Sequence, residues 1–235
     1  MCGYIGRITD SPGLQALFEA LGLGDLLQPF VADYTMERFY PAFGKDTSKV
    51  IRGLLIEEHG QKKLIDATWG FNCKAKGPTL TIGRKPIFNA RDLTLPYWSE
   101  ALSQYRAVVI ATELGESQPV GKGKHRYLMQ SQAPFLLGAL YRPFPNGCYS
   151  CATITRDPHP KFTPYHKQAF PLFLPAHDPH FIHRWLDSHT PEHPDITQLL
   201  AAPMLFPDLT VTQVKSFKSA QRLGETTLLS SDVTP

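Results

Sequence analysis

The stretch KVIRGLLIEEHGQKKLIDATW, Lys49 to Trp69, decides how the chain is built. From Lys49 to Glu57 and again from Lys62 to Trp69 it is rich in apolar and β-branched residues, and His59-Gly60 stands between the two runs. Gly takes a positive φ without steric penalty, so this spacing predicts two antiparallel strands joined by a tight hairpin.

Outward from the hairpin the same signal recurs at Ala107 to Thr112, Tyr127 to Gln130, Phe135 to Tyr141 and Tyr149 to Thr155, each run bounded by Gly, Pro, Asn or Asp. Helices are predicted where the period changes. Ser11-Pro12 reads as an N-cap and first-turn proline, followed by Leu14, Leu17, Phe18 and Leu21 at helical spacing and closed by Gly22 or Gly24. Asp178-Pro179 opens a second helix with Phe181, Ile182, Trp185 and Leu186 on its inner side. After Pro191 come a helical turn, a strand near Thr210 to Lys215 and, over 221–235, a polar tail. No internal repeat and no long linker breaks the chain, so residues 1–235 are expected to form one α+β domain.

Composition narrows the function classes. The chain is 42% hydrophobic and 19% charged, with 21 prolines in 235 residues, which predicts an ordinary globular core cut by many turns. A net charge of +3 is too small to indicate a nucleic-acid partner by itself. No basic segment leads into an apolar run at the N-terminus and no stretch reaches membrane-spanning length, so a cytoplasmic protein without membrane contact is expected. Cysteines at 2, 73, 148 and 151 are too scattered for a disulfide framework and are expected to be reduced.

The chemistry is concentrated at Met1-Cys2-Gly3. A small second residue allows removal of the initiator Met, and the exposed cysteine then carries an α-amine and a thiol, both of which populate their reactive forms near neutrality. Other candidates are Asn89 and Arg91 in Phe88-Asn89-Ala90-Arg91, after a basic loop with Arg84 and Lys85; a guanidinium there could fork onto a phosphate. Glu113 and Glu116 follow an apolar strand, which would set them at a strand end as proton donors or acceptors, and the run from Lys122 to Arg126 could meet phosphates. His166, in Pro164-Tyr165-His166, suits acid–base work. His177, His180 and His183 recur every three residues but lack an acidic or thiol ligand, and Cys148 and Cys151 would face opposite sides of a strand, so neither metal nor cofactor is expected.

Met1-Cys2-Gly3, Trp69-Gly70, Asn89-Ala90-Arg91, Glu116 and Pro164-Tyr165-His166 together, in that order, resemble the SOS response-associated peptidase family, whose members shield abasic sites in single-stranded DNA. The resemblance implies a curved, largely antiparallel, barrel-like sheet with flanking helices and a cationic groove leading to Cys2. It implies that Cys2 forms a thiazolidine crosslink with the abasic sugar, that Asn89 positions that sugar, and that Glu116 moves protons during imine formation while His166 assists ring opening and release. Arg91, Trp69, Arg84, Lys85 and Arg7 would contact the nucleic acid. A monomer acting on single-stranded DNA with abasic sites is expected, and the family name implies peptidase activity, such as self-removal of Met1.

Three departures from the family pattern stand out: Tyr4 in place of Arg, Ser117 in place of the Trp after the glutamate, and Lys167 in place of an acid after the histidine. They keep a second possibility open, a binding module that retains the fold without the covalent step. Met1 to Gly6 also resembles the start of N-terminal nucleophile glutamine amidotransferases, although their substrate loops have no equivalent here. Glu113, three residues from Glu116, remains an alternative acid.

Overall fold

The computed structural model describes residues 3–9, 12–27, 35–42, 46, 49–83, 85, 87–189 and 192–233. Strand β1 (Tyr4–Ile8) leads into helix α1 (Pro12–Ala20), then β2 (Met36–Phe39), β3 (Val50–Glu58) and β4 (Gln61–Trp69). A separate hairpin follows, β5 (Cys73–Lys76) with β6 (Thr79–Ile82), and after it β7 (Asn89–Ala90) and α2 (Pro96–Gln104). The long strands are β8 (Arg106–Val120), β9 (Gly123–Pro143) and β10 (Tyr149–Arg156). Short β11 (Phe170–Pro171) and β12 (Phe173–Leu174), helices α3 (Pro179–Leu186) and α4 (Pro194–Ala201), and strands β13 (Leu209–Val214) and β14 (Arg222–Leu229) complete the chain.

Local chemistry explains the ends of these elements. His59 (φ 54) and Gly60 (φ 75) both adopt the left-handed conformation that a two-residue hairpin requires, and β3 pairs with β4 from Glu58↔Gln61 back to Val50↔Thr68. At the end of α1, Leu23 N–H donates to Phe18 C=O and Gly22 N–H to Glu19 C=O, with Gly22 at φ 66; this paired closure stops the helix where the sequence predicts. Asp178 caps α3 by accepting from Phe181 N–H at 2.9 Å.

The sheet closes on itself. β8 pairs with β3, β3 with β4, β4 with β10, β10 with β9, and β9 with β8, so these strands form a barrel from which β13–β14 extends on one side and β1–β2 on the other. All of the barrel pairings are antiparallel except β4–β10. Alternation along the strands fills two layers. Ala107, Val109 and Ala111 of β8 point inward with Trp69, Leu137, Ala139 and Tyr141, while Val108 and Ile110 point outward against Leu14 and Phe18 of α1 and Phe181 and Trp185 of α3. Trp185 Nε1 donates to Ala107 C=O at 2.9 Å, pinning α3 to the barrel. Among the described residues no helix is long and apolar enough to cross a membrane.

The expected α+β fold with a curved, barrel-like sheet is therefore present, with three corrections of detail. β8 runs through Glu113 and Glu116 to Val120, so neither glutamate sits at a strand end. The runs at 127–130 and 135–141 belong to one strand, β9. The expected polar tail contains β14, antiparallel to β13 from Leu209↔Leu229 to Val214↔Arg222.

β1 crosses β8 closely at Gly6, where an added Cβ would collide with the Glu113 side chain, itself held by Tyr4 and Gln130. Gly6→Ala is expected to lower stability by about 1–3 kcal/mol in urea unfolding, as overpacking does. Unchanged stability would mean that the Glu113 carboxylate moves aside freely.

Candidate functional site

A change of phase in β8 builds the site. The β8–β9 register jumps from Ala111↔Phe135 to Glu113↔Gln130, so four residues of β9, Ser131 to Pro134, stand opposite the single Thr112. Thr112 Oγ1 meanwhile accepts from Ile8 N–H at 3.1 Å. Inward positions are odd up to Ala111 and even from Leu114 onward. A one-residue shift exchanges the faces of everything beyond it. Glu116 therefore shares the inward phase of Leu114 and is 1% exposed, whereas Glu113 takes the other phase, accepting from the Tyr4 hydroxyl and, at 3.0 Å, from Gln130 Nε2.

His166 reaches Glu116 from a compact turn. Phe162, wholly buried against Phe170 and Phe173, anchors it, and His166 N–H donates to Phe162 C=O at 2.8 Å. The imidazole Nδ1 lies 3.0 Å from Ser117 C=O and 3.6 Å from Glu116 Oε2. A carbonyl only accepts, so Nδ1 carries the proton of the neutral ring and Nε2 is its basic atom. Burial pushes the Glu116 carboxyl up to about 7, and burial, with a contribution from the Arg91 charge, holds His166 below its ordinary range. Near neutral pH the pair is thus a half-protonated acid beside a neutral base rather than a fixed ion pair, the poise that proton transfer needs.

Other elements bring further groups. β7 lies parallel to β10 with Asn89 opposite Thr153. Thr153 Oγ1 donates to Asn89 Oδ1 at 2.8 Å, and the buried Nδ2 of the same amide has no partner among the described residues. Arg91 is exposed, with its guanidinium 3.6 Å from Asp157. Tyr127, opposite Glu116 on β9, packs edge-on against Tyr165 with ring centres 5.1 Å apart. The start of the chain enters here: Gly3 N–H donates to Gly115 C=O at 3.4 Å, and Tyr4 pairs with Gly115, the neighbour of Glu116. Cys2 and Arg84 lie outside the described residues.

Two expected nucleic-acid contacts are core residues instead. Arg7 is 1% exposed, with its guanidinium bonded to Glu37 and to Arg52 C=O and set over the Phe39 ring. Trp69 is fully buried and donates from Nε1 to Phe88 C=O at 3.0 Å. Lys85 is exposed. Of the histidine series, His183 bonds Leu21 C=O through Nε2 and His177 packs on Phe206. Glu57, Asp187 and His189 bring ligand atoms within 4.8 Å of one another, yet Glu57 is already neutralised by Lys62 at 3.1 Å. Thr153 and Tyr127 were missed from sequence. Tyr127 follows once the β8–β9 turn is placed at Gly121, because counting back from Val120↔Gly123 sets it opposite Glu116.

Ionising Glu116 opposes folding. Its native value lies above the ordinary 4.5, so the native state binds the proton more tightly, and stability should fall as pH rises from about 4.5 through about 7 and then level. Glutamine cannot ionise. Glu116→Gln should therefore gain stability relative to the parent across that window, by at most about 3 kcal/mol. Parallel stability–pH curves in chemical unfolding would contradict the assignment.

The family model of the SOS response associated peptidase (SRAP) family matches residues 1–217. No curated protein matches the chain. Among solved structures, a phage-related protein from Bordetella bronchiseptica is similar at 19% identity with a TM-score of 0.61, covering 95% of this chain and 100% of that one. A second protein from Bordetella bronchiseptica is similar at 13% identity and TM-score 0.57, covering 92% of this chain and 100% of that one. A protein from Bacteroides thetaiotaomicron is similar at 14% identity and TM-score 0.57, covering 90% and 92%. These likenesses establish a shared fold, and the extent of the family match establishes kinship: the chain belongs to the SOS response associated peptidase family, with a DNA-linked role concerned with abasic sites.

Proposed function

We propose that the protein captures abasic sites in single-stranded DNA covalently through Cys2 after loss of Met1. The observation that carries this reading is the buried Glu116–His166 pair next to Gly115, the residue that Gly3 bonds as the chain begins. An abasic sugar opens to an aldehyde. The Cys2 amine adds to the carbonyl carbon to give a carbinolamine, which loses water to form an imine; the thiol then adds to the imine carbon and closes a five-membered thiazolidine. One water leaves overall and nothing is oxidised or reduced.

The loss of water needs an acid and the additions need a base. Glu116, raised by burial to about 7, gives its proton to the departing hydroxyl and takes one back as the ring closes. His166, neutral and basic at Nε2, accepts the sugar hydroxyl proton during opening and serves the reverse reaction. Asn89 Nδ2 supplies a donor for the sugar, and exposed Arg91 and Lys85 hold flanking phosphates. Removal of Met1 belongs to the same reading, as an autopeptidase step that exposes the Cys2 amine.

Incubation with a single-stranded oligonucleotide carrying one abasic site should give a heat-stable adduct, absent with Cys2→Ala. Glu116→Gln should form it more than about tenfold more slowly, in line with general acid–base contributions. His166→Ala should chiefly slow its reversal. No adduct with the parent protein would leave a binding module without the covalent step, and an unimpaired Glu116→Gln would remove the carboxyl from proton transfer.

A further inference from the structure

The turn that carries His166 is held from behind by the far end of the chain. Residues 157–169 join β10 to β11 and belong to no strand or helix. Two successive turns stiffen them: Phe162 N–H and Thr163 N–H donate to His159 C=O at 2.9 and 3.0 Å, and Tyr165 N–H and His166 N–H donate to Phe162 C=O, both at 2.8 Å. A displacement at His159 is therefore passed on to His166. β14 lies antiparallel to β13 with Leu229 opposite Leu209, which returns Ser231 and Asp232 to the side of Leu205. These residues lie beyond 1–217, the span that the family model matches.

Asp232 joins the two segments. Its N–H donates to Leu205 C=O at 2.8 Å and its Oδ2 accepts from Leu205 N–H at 2.7 Å, so the carboxylate has a fixed seat. The same Oδ2 lies 3.1 Å from His159 Nε2, and Oδ1 lies 2.6 Å from Lys161 Nζ, which also donates to Ser230 and Ser231 C=O, each at 2.9 Å. Lys161 N–H donates to His159 Nδ1 at 3.3 Å, so Nδ1 is the acceptor of that ring and Nε2 carries the proton toward Asp232. The ring lies on buried Phe170, with centroids 4.7 Å apart and planes at 28°, and Phe170 meets Phe162, the anchor of the turn, edge-on. Burial raises the Asp232 carboxyl, but the bonds from Lys161 and Leu205 outweigh it and hold the group below its ordinary value.

An isolated exposed ion pair would contribute little. Here the His159 and Asp232 side chains are only 14% and 18% exposed, and both ring nitrogens are committed. We propose that Asp232 and His159 are positioning residues for His166: the carboxylate fixes the His159 ring, the ring fixes the start of the turn, and the turn holds His166 Nδ1 toward Ser117 C=O, leaving Nε2 as the basic atom. Misplacing a reacting group by about 1 Å costs up to about a hundredfold in rate, so this clasp bears on the chemistry without touching substrate. The inference rests on the acid–base reading of His166 above, but its first readout needs no adduct.

Long-range proton–nitrogen NMR of the labelled protein reads the His166 ring directly, with its signals assigned by their absence in His166→Ala. The parent should show two well-separated ring nitrogens, Nδ1 protonated and Nε2 bare. Asp232→Ala should draw the two signals together as the tautomers mix, and so should His159→Phe, which keeps a ring on Phe170 but loses both nitrogens. Asp232→Asn, whose amide oxygen can still accept from Leu205 and His159, should keep the parent signals. With single-stranded DNA carrying an abasic site, Asp232→Ala and His159→Phe should release the adduct about tenfold more slowly while forming it within about twofold of the parent rate. Parent-like signals in Asp232→Ala, their loss in Asp232→Asn as well, or a parent ring without separated signals would overturn the clasp. Formation and release slowed equally would do the same, as the mark of general damage. Separated signals that merge in Asp232→Ala and His159→Phe but not in Asp232→Asn support the clasp even where the parent gives no adduct, an outcome that removes the covalent reading alone.

Discussion

The register jump opposite Thr112 is the constraint on which the site depends. Before it, β8 is an ordinary barrel strand with small apolar residues inside and larger ones beneath the helices. Beyond it the faces exchange, and a glutamate that would otherwise take the outward phase of Val108 and Ile110 shares the inward face with Leu114. An ionised carboxylate is expensive to bury, and the group responds by holding its proton to higher pH. The backbone irregularity thus becomes an acid poised near neutrality.

The other carboxylate shows what the same strand does on its opposite face. Glu113 is met by the Tyr4 hydroxyl and the Gln130 amide, both aimed at its oxygens, and it knits β1, β8 and β9 together. Glu116 is met by an imidazole whose Nδ1 is turned to a backbone carbonyl. Two glutamates three residues apart therefore divide into a structural one and a poised one by the faces they occupy.

Much of the scaffold was legible because it obeys local rules. The β3–β4 hairpin turns on His59-Gly60, α1 stops at Gly22, and α3 starts at Asp178. What local rules cannot convey is pairing at a distance. Residues 113–118 contain two glutamates, a glycine, a serine and a glutamine and do not look like a buried strand; they are one because β1 and β9 flank them. β7 acquires its meaning from Thr153, sixty-four residues away. Arg7, which the resemblance sets against nucleic acid, is buried because Glu37, thirty residues on, lies beside it, a pairing that no local pattern conveys. Trp69 was legible in hindsight: it shares the inward phase of Ile65 and Ala67.

Whether burial on the inward face makes Glu116 the acid of the site can be read directly. The carbon-13 shift of its side-chain carboxyl, assigned by its absence in Glu116→Gln, should titrate with a midpoint near 7. A midpoint near the ordinary 4.5 would show the group solvated and ionised at neutral pH, and would contradict its part in the chemistry.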